Sequence, residues 1–192
     1  ISACLVGSEM CIRDSVEANP SIAEFRFTLA LCYRDGSPPW RLRGSDGDPS
    51  NDLQQRAIDI LETLVREAPT VPDYRLELAD TIARVPPPDR MTVESLQTTE
   101  ADLRRALGIV DDLLRDSGQV PRYRQAAARI LERLAAVEWL RHGAAKPIDS
   151  VRRAWSLYSG LADDYPDQDD YLLSSLRIGI QLGQLLAMQR QW

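Results

Sequence analysis

The chain has 192 residues, of which 44% are apolar and 27% are charged, and its formal net charge is −6. This composition is ordinary for a folded globular chain, and the negative charge disfavours binding to nucleic-acid phosphates. No apolar run approaches the roughly 20 residues that span a bilayer. We therefore predict no nucleic-acid partner and no membrane segment in this chain.

The first 15 residues differ from the rest. The stretch MCIRDS, from Met10 to Ser15, can be encoded by ATG TGT ATA AGA GAC AGn, which resembles the end of a transposase adapter used to prepare sequencing libraries. We predict that residues 1–15 are adapter-derived and that residues 16–192 form one helical repeat domain, a fragment of a longer bacterial protein. A genuine N-terminal tail is the alternative.

The cysteines and the histidine limit the chemistry. Without residues 1–15, which contain Cys4 and Cys11, the chain keeps Cys32 alone. One thiol forms no disulfide framework and suits a reducing compartment, so we predict a cytoplasmic location. Cys32 and His142 are too few to assemble a metal site, and we predict no metal and no cofactor. His142 precedes Gly143 and is predicted to end a helix, where the helix dipole favours it.

Helices are predicted along the rest of the chain, because apolar residues recur there at helical spacing. Pro69, Gly118 and Pro166 each end one of them. The predicted helices are about 20–35, 51–67, 70–85, 99–116, 119–142, 149–164 and 167–190, with a short turn over 92–97. Their predicted N-caps are Asn51, Thr99, and Asp149 or Ser150. No stretch alternates between apolar and polar residues, so the predicted fold class is all-α.

Two kinds of helix alternate in a repeat of about 49 residues. The first kind begins with an aromatic residue, and these aromatics are 49, 49 and 48 residues apart: Phe25, Tyr74, Tyr123 and Tyr171. The second kind has a small residue followed by large apolar residues four and seven positions later: Ala57, Leu61, Leu64; Ala106, Val110, Leu113; and Ala154, Tyr158, Leu161. A fixed period of helix pairs predicts an α-solenoid of antiparallel helix pairs.

The second helix and the proline that follows it, as in Ala57 to Pro69, resemble the second half of a tetratricopeptide repeat. That repeat is usually about 34 residues long, and the surplus here falls in the turn between paired helices. The phrase LVREAPTVPDYRLELA is also similar to arrays that follow kinase domains in planctomycete serine/threonine kinases. The resemblance implies a non-catalytic scaffold in a larger signalling protein, which binds a peptide or partner helix on the concave face lined by the first helices.

Helix geometry indicates which side chains line that face. At about 100° per residue, some positions of the first helices fall opposite the inward Leu78 and Ile82. These positions hold Arg34, Asp80, Arg84, Arg129, Arg133 and Arg177. Guanidinium groups match carboxylates geometrically, so these residues are the candidate site for an acidic peptide. The alternative is that they are solvated helix arginines.

A second set of arginines follows the aromatic residues, and acids stand near the end of each second helix. The predicted structural pairs join members of two groups: Arg26, Arg75 and Arg124, and Glu67, Asp116 and Asp164. Leu172 replaces the arginine in the fourth unit, so we expect no pair there.

Three tryptophans have distinct expectations. Trp139 and Trp155 fall within helical stripes and are predicted to lie in the core. Trp40 lies in a loop, where it either anchors a partner or packs back onto its own helices.

The acidic stretch DDYPDQDDY, at residues 163–171, offers an alternative function. Clustered carboxylates bind metals or act as acid and base, so a helical enzyme or metal-binding domain using the cluster at 163–170 is the second hypothesis. The stretch crosses a helix break and contains no histidine, which favours a solvated turn.

Overall fold

The computed structural model describes residues 12–36, 49–84, 92–118 and 120–189. Within these ranges the chain forms helices and no strand, which confirms the all-α prediction. The helices are α1 (12–18), α2 (Ala23–Gly36), α3 (Pro49–Glu67), α4 (Pro72–Ile82), α5 (Val93–Asp116), α6 (Pro121–His142), α7 (Ile148–Asp164) and α8 (Asp169–Gln189). The expectations for Cys4, Cys11 and Trp40 lie outside the described residues.

The backbone repeats with the period of the sequence. The first helices, α2, α4, α6 and α8, begin at residues 23, 72, 121 and 169, in steps of 49, 49 and 48. The second helices, α3, α5 and α7, end at residues 67, 116 and 164, in steps of 49 and 48. Each second helix is joined to the next first helix by four residues: 68–71, 117–120 and 165–168. By contrast, 12, 10 and 5 residues separate the two helices of successive pairs.

The four-residue junctions also share their hydrogen bonds. In 68–71 the first amide, of Ala68, donates to the carbonyl of Leu64 at 2.9 Å, and the last, of Val71, donates to the carbonyl of Ala68 at 3.1 Å. The same two bonds recur in the other junctions: Ser117 to Leu113 and Val120 to Ser117, and Tyr165 to Leu161 and Gln168 to Tyr165. They satisfy backbone groups that a helix end would leave unpaired.

Helix α1 continues this repeat backward. It ends at residue 18, which is 49 residues before the end of α3, and the amide of Asn19 donates to the carbonyl of Ser15 as in the other junctions. Ile12 and Val16 pack against a buried cluster of Leu29, Tyr33 and Ala57. The helix therefore crosses the predicted boundary at residue 15, and the adapter origin of residues 1–15 stays a prediction.

The chain divides into two compact units, residues 1–87 and 88–192. In unit 1, α3 packs against both α2 and α4. Arg26 near the start of α2 contacts Glu67 at the end of α3, and Gln54 early in α3 donates to the carbonyls of Thr81 and Arg84 at the end of α4. Both helix pairs are therefore antiparallel.

In unit 2 the four helices α5 to α8 pack mainly on their neighbours in sequence. Glu138 near the end of α6 accepts a hydrogen bond from Ser150 at the start of α7, and the hydroxyls of Ser159 in α7 and Ser175 in α8 lie 2.8 Å apart. The neighbours are again antiparallel, so each unit has the helix stacking of an α-solenoid.

The repeated apolar positions form the core. The small residues Ala57, Ala106 and Ala154 have no exposed surface, which lets adjacent helix backbones approach closely. The leucines seven positions later are also buried: Leu64, Leu113 and Leu161. In unit 2 one cluster joins Ala128 and Leu131 of α6 to the core residues of α7 and α8. Leu78 and Ile82 are buried as predicted.

The predicted N-caps at Thr99 and at Asp149 or Ser150 are wrong. Helix α5 begins at Val93, and its N-cap Thr92 accepts a hydrogen bond from the amide of Ser95 at 3.1 Å. Leu96 is buried and extends the apolar stripe by one turn, so the predicted turn at 92–97 belongs to α5. Helix α7 begins at Ile148, with no side-chain cap, because Ile148 is itself buried. Asn51 lies inside α3, after its first residue Pro49, and does not precede it.

Trp139 and Trp155 are also not core residues, since they are 52% and 41% exposed. In α6 the buried positions next to Trp139 are Val137 and Glu138, so the tryptophan falls outside the covered face. Trp155 packs from the surface onto α8, where its Nε1 lies 3.0 Å from the position of a Cβ on Gly179.

Candidate partner-binding face

The first helices α6 and α8 of unit 2 carry an excess of positive charge. Over residues 125–137 and 173–185 the charged residues are Arg129, Glu132, Arg133 and Arg177. All three arginines are exposed. Arg177 of α8 donates to Glu132 of α6 at 2.6 Å, which holds the two helices together at this level. We call these four residues the arginine face.

Tyr158 of α7 supports the arginine face from below. Burial, with the charge of Glu132 beside it, raises the pKa of Tyr158 well above its ordinary value of 10, so its hydroxyl stays protonated and hydrogen-bonds to Glu132. The hydrogen bond to Glu132 likewise raises the pKa of Arg177. Glu132 is therefore fixed by two neighbours, and it orients the guanidinium group of Arg177.

In unit 1 the equivalent face is neutralised by its own carboxylates. Arg34 is ion-paired with Glu77 and, at 2.9 Å, with Asp35. Arg84 donates to the carbonyl of Arg34 at 3.0 Å and to Asp35 at 3.1 Å. The charge of Asp80 also acts on the pKa of Arg34, Glu77 and Arg84. Two arginines thus face three acids, so an acidic ligand would have to displace internal partners here.

The structure brings two of the predicted arginine–acid pairs together. Arg26 donates to both oxygens of Glu67, at 2.9 and 2.6 Å, and Arg124 donates to Asp164 at 2.6 Å. In both arginines the Nε atom is buried without a hydrogen-bond partner among the described residues. Arg75 and Asp116 belong to different units, and their pairing stays a prediction.

Leu172 occupies the arginine position of the fourth unit. It lies on α8 and is 50% exposed. Its neighbours in sequence, the acids of 163–170, lie at the exposed turn between α7 and α8. Asp164 is engaged by Arg124, and no three metal-ligating side chains converge within the described part of the chain.

Sequence reasoning missed a buried charge network in unit 2, formed by Glu100, Arg104, Glu138, Arg141 and Ser150. Glu100 is only 2% exposed. It is ion-paired with Arg141 and, at 2.5 Å, with Arg104. Glu138, also buried, accepts from Arg104 at 3.3 Å and from Ser150 at 2.8 Å. The available signal was that Glu100 shares the apolar stripe of Leu96, Leu103 and Ala106, where a charge needs partners.

An open cleft of about 720 Å³ lies beside this network, lined by Glu100, Arg104, Arg141, His142, Ala145 and Lys146. His142 ends α6, as predicted, and its Nε2 lies 3.4 Å from Glu100. Gly143 follows with a positive φ of 79°, the left-handed conformation that favours glycine at a helix end. No helix in the described ranges combines the length and the apolar character needed to cross a membrane.

No family model matches this chain. No curated protein gives a significant match either. Among solved structures, a thermophilic tetratricopeptide-repeat protein of Thermus thermophilus is similar, with 16% sequence identity and a TM-score of 0.45 over 95% of this chain and 91% of that chain. A TM-score of this size assigns neither a family nor a function.

Proposed function

We propose that the chain is a non-catalytic protein-interaction scaffold that binds an acidic peptide or partner helix on the arginine face of unit 2. The observation that carries this proposal is the local charge: Arg129, Arg133 and Arg177 lie on two adjacent helices with Glu132 as the nearby acid. The chain as a whole has the opposite sign, −6. A positive surface on an acidic protein attracts and orients carboxylates.

The proposal is narrower than the predicted residue set. Arg34, Asp80 and Arg84 of unit 1 form an internally compensated cluster, so unit 2 carries the binding. The resemblance to repeat arrays of planctomycete kinases extends the proposal to a module of a larger signalling protein in the cytoplasm.

The experiment uses a fluorescein-labelled peptide of alternating glutamate and leucine, with a glutamine-for-glutamate peptide as the neutral control. We expect the acidic peptide to bind, the neutral one to bind much more weakly, and the affinity to fall as salt screens the charges. The triple variant Arg129→Ala, Arg133→Ala, Arg177→Ala removes three exposed contacts worth about 0.2–1 kcal/mol each. At about 1.4 kcal/mol per factor of ten, this predicts an affinity loss of about tenfold.

A matched control removes three arginines from the second helices of the same unit: Arg115→Ala, Arg152→Ala, Arg153→Ala. These side chains are exposed and paired with Asp112, Asp149 and Asp111, and the variant has the same net charge as the first. Equal binding by both variants, or no preference for the acidic peptide, would show that the arginine face is not the site.

A further inference from the structure

Helix α8 exposes large apolar side chains that the other helices do not. Its inner face is buried against α7 through Tyr171, Ile178 and Leu185. A second apolar face, between 48% and 64% exposed, carries Leu172, Leu173, Leu176, Ile180 and Met188. Two apolar faces on one helix indicate two packing partners, and the described chain supplies only the inner one.

The same face is covered in the earlier helix pairs. Helix α8 begins 48 residues after α6, so Leu172 and Leu176 correspond to Arg124 and Ala128. The Arg124 side chain is 13% exposed and Ala128 is fully buried, because α7 lies over both. In unit 1, Arg26 and Ala30 of α2 are covered in the same way by α3. The repeat therefore places a second helix on this face.

The covering helices share a chemical pattern. Each has alanine, a large apolar residue four positions later, leucine at seven and an acid at ten, as in Ala154, Tyr158, Leu161 and Asp164. The acid meets the arginine of the first helix. On α8 that arginine is Leu172, so an acid at position ten would lose its partner and lie against hydrocarbon.

We propose that the exposed face of α8 is a docking site for an amphipathic helix of a partner protein. That helix has a small residue, large apolar residues four and seven positions on, and an apolar residue instead of an acid at position ten. This goes beyond the proposed function, because positions 172, 176 and 180 do not include the arginine face. Leu176 is larger than the alanine it replaces, so the occupant also has a small residue opposite it.

The probe is a fluorescein-labelled peptide with the sequence of residues 147–166 and the change Asp164→Leu, and the control peptide keeps Asp164. We expect the leucine peptide to bind the intact chain about tenfold more tightly, because it replaces a carboxylate with apolar contact at Leu172. The variant Leu172→Arg, Leu176→Ala gives α8 the face of α6 and should reverse this preference. Both substituted side chains are exposed, so unfolding by urea should be little changed and confirms the fold.

Three results would overturn the proposal: no binding of the leucine peptide, no reversal in the double variant, or undiminished binding after Leu176→Glu. Analytical ultracentrifugation adds a fourth, since a dimer that Leu176→Glu dissociates would assign the face to a second copy of the chain. The triple arginine variant of the previous section should bind the helix peptide normally, so the failure of one proposal is distinguishable from the failure of the other.

Discussion

Replacing Glu100 by glutamine tests whether the buried charge network stabilises unit 2. The substitution keeps the shape of the side chain and removes its charge. Glu100 is 2% exposed and is ion-paired with Arg141 of α6 and with Arg104 one turn along α5. The glutamine would keep part of the hydrogen bonding and lose both ion pairs.

The size of the effect follows from these contacts. Hydrogen bonds to charged groups contribute about 1.5–3 kcal/mol each, and removing one partner of a buried ion pair costs about 3–5 kcal/mol. Arg104 is half exposed and regains water when it is released, which reduces the loss. We therefore expect Glu100→Gln to lower the free energy of unfolding by about 2–3 kcal/mol, measured by urea denaturation.

The loss should depend on pH. Burial alone would raise the pKa of Glu100, but the hydrogen bond from Arg141 and the charge of Arg104 lower it below its ordinary value of 4.5. As the pH falls, the unfolded chain takes up the proton first, so Glu100 contributes its stability above pH 4.5 and loses it toward its lower folded-state pKa. The difference between the wild type and Glu100→Gln should therefore shrink below pH 4.5.

Glu94→Gln is the matched control, because Glu94 is exposed in the first turn of the same helix. It should cost less than about 1 kcal/mol through the helix dipole. Equal costs for the two variants, or a Glu100→Gln difference that does not change with pH, would refute the reasoning.

Two further predictions concern packing and the repeated ion pair. Leu161→Ala, at a fully buried position, should destabilise the chain by about 2–5 kcal/mol in urea, whereas Leu172→Ala, which is half exposed, should change it by under about 0.5 kcal/mol; similar values would contradict the core assignment. Asp164→Asn should cost about 1 kcal/mol because it releases Arg124, and Asp163→Asn, on the exposed neighbour, should be nearly neutral. No difference between these asparagine variants would remove the pair's structural role.

Much of the helix pattern could be predicted from the sequence, because the repeated chemistry is local. The aromatic residue lies two positions after the start of each first helix, and Glu67, Asp116 and Asp164 end the second helices. The starts of the second helices were less predictable. They follow connections of different length, and burial of Leu96 and Ile148 decides where α5 and α7 begin.

The side-chain environments were harder to predict, because they depend on partners that are distant in sequence. Glu100 is buried only because Arg141 reaches it from 41 residues away. Arg34 is neutralised by Glu77, 43 residues away, and this contact changes its expected role. Periodicity places Trp139 and Trp155 on a helix, but it does not tell which side of that helix a neighbour covers.

The constant junctions and the variable connections have a practical consequence. A peptide tag or a small reporter domain inserted between residues 143 and 147, within a pair, lengthens a segment whose counterparts already range from 5 to 12 residues. The same insertion at 165–168 would interrupt two conserved backbone bonds and shift every later helix against its neighbour. The chain thus offers engineers one tolerant joint and one forbidden joint in each period.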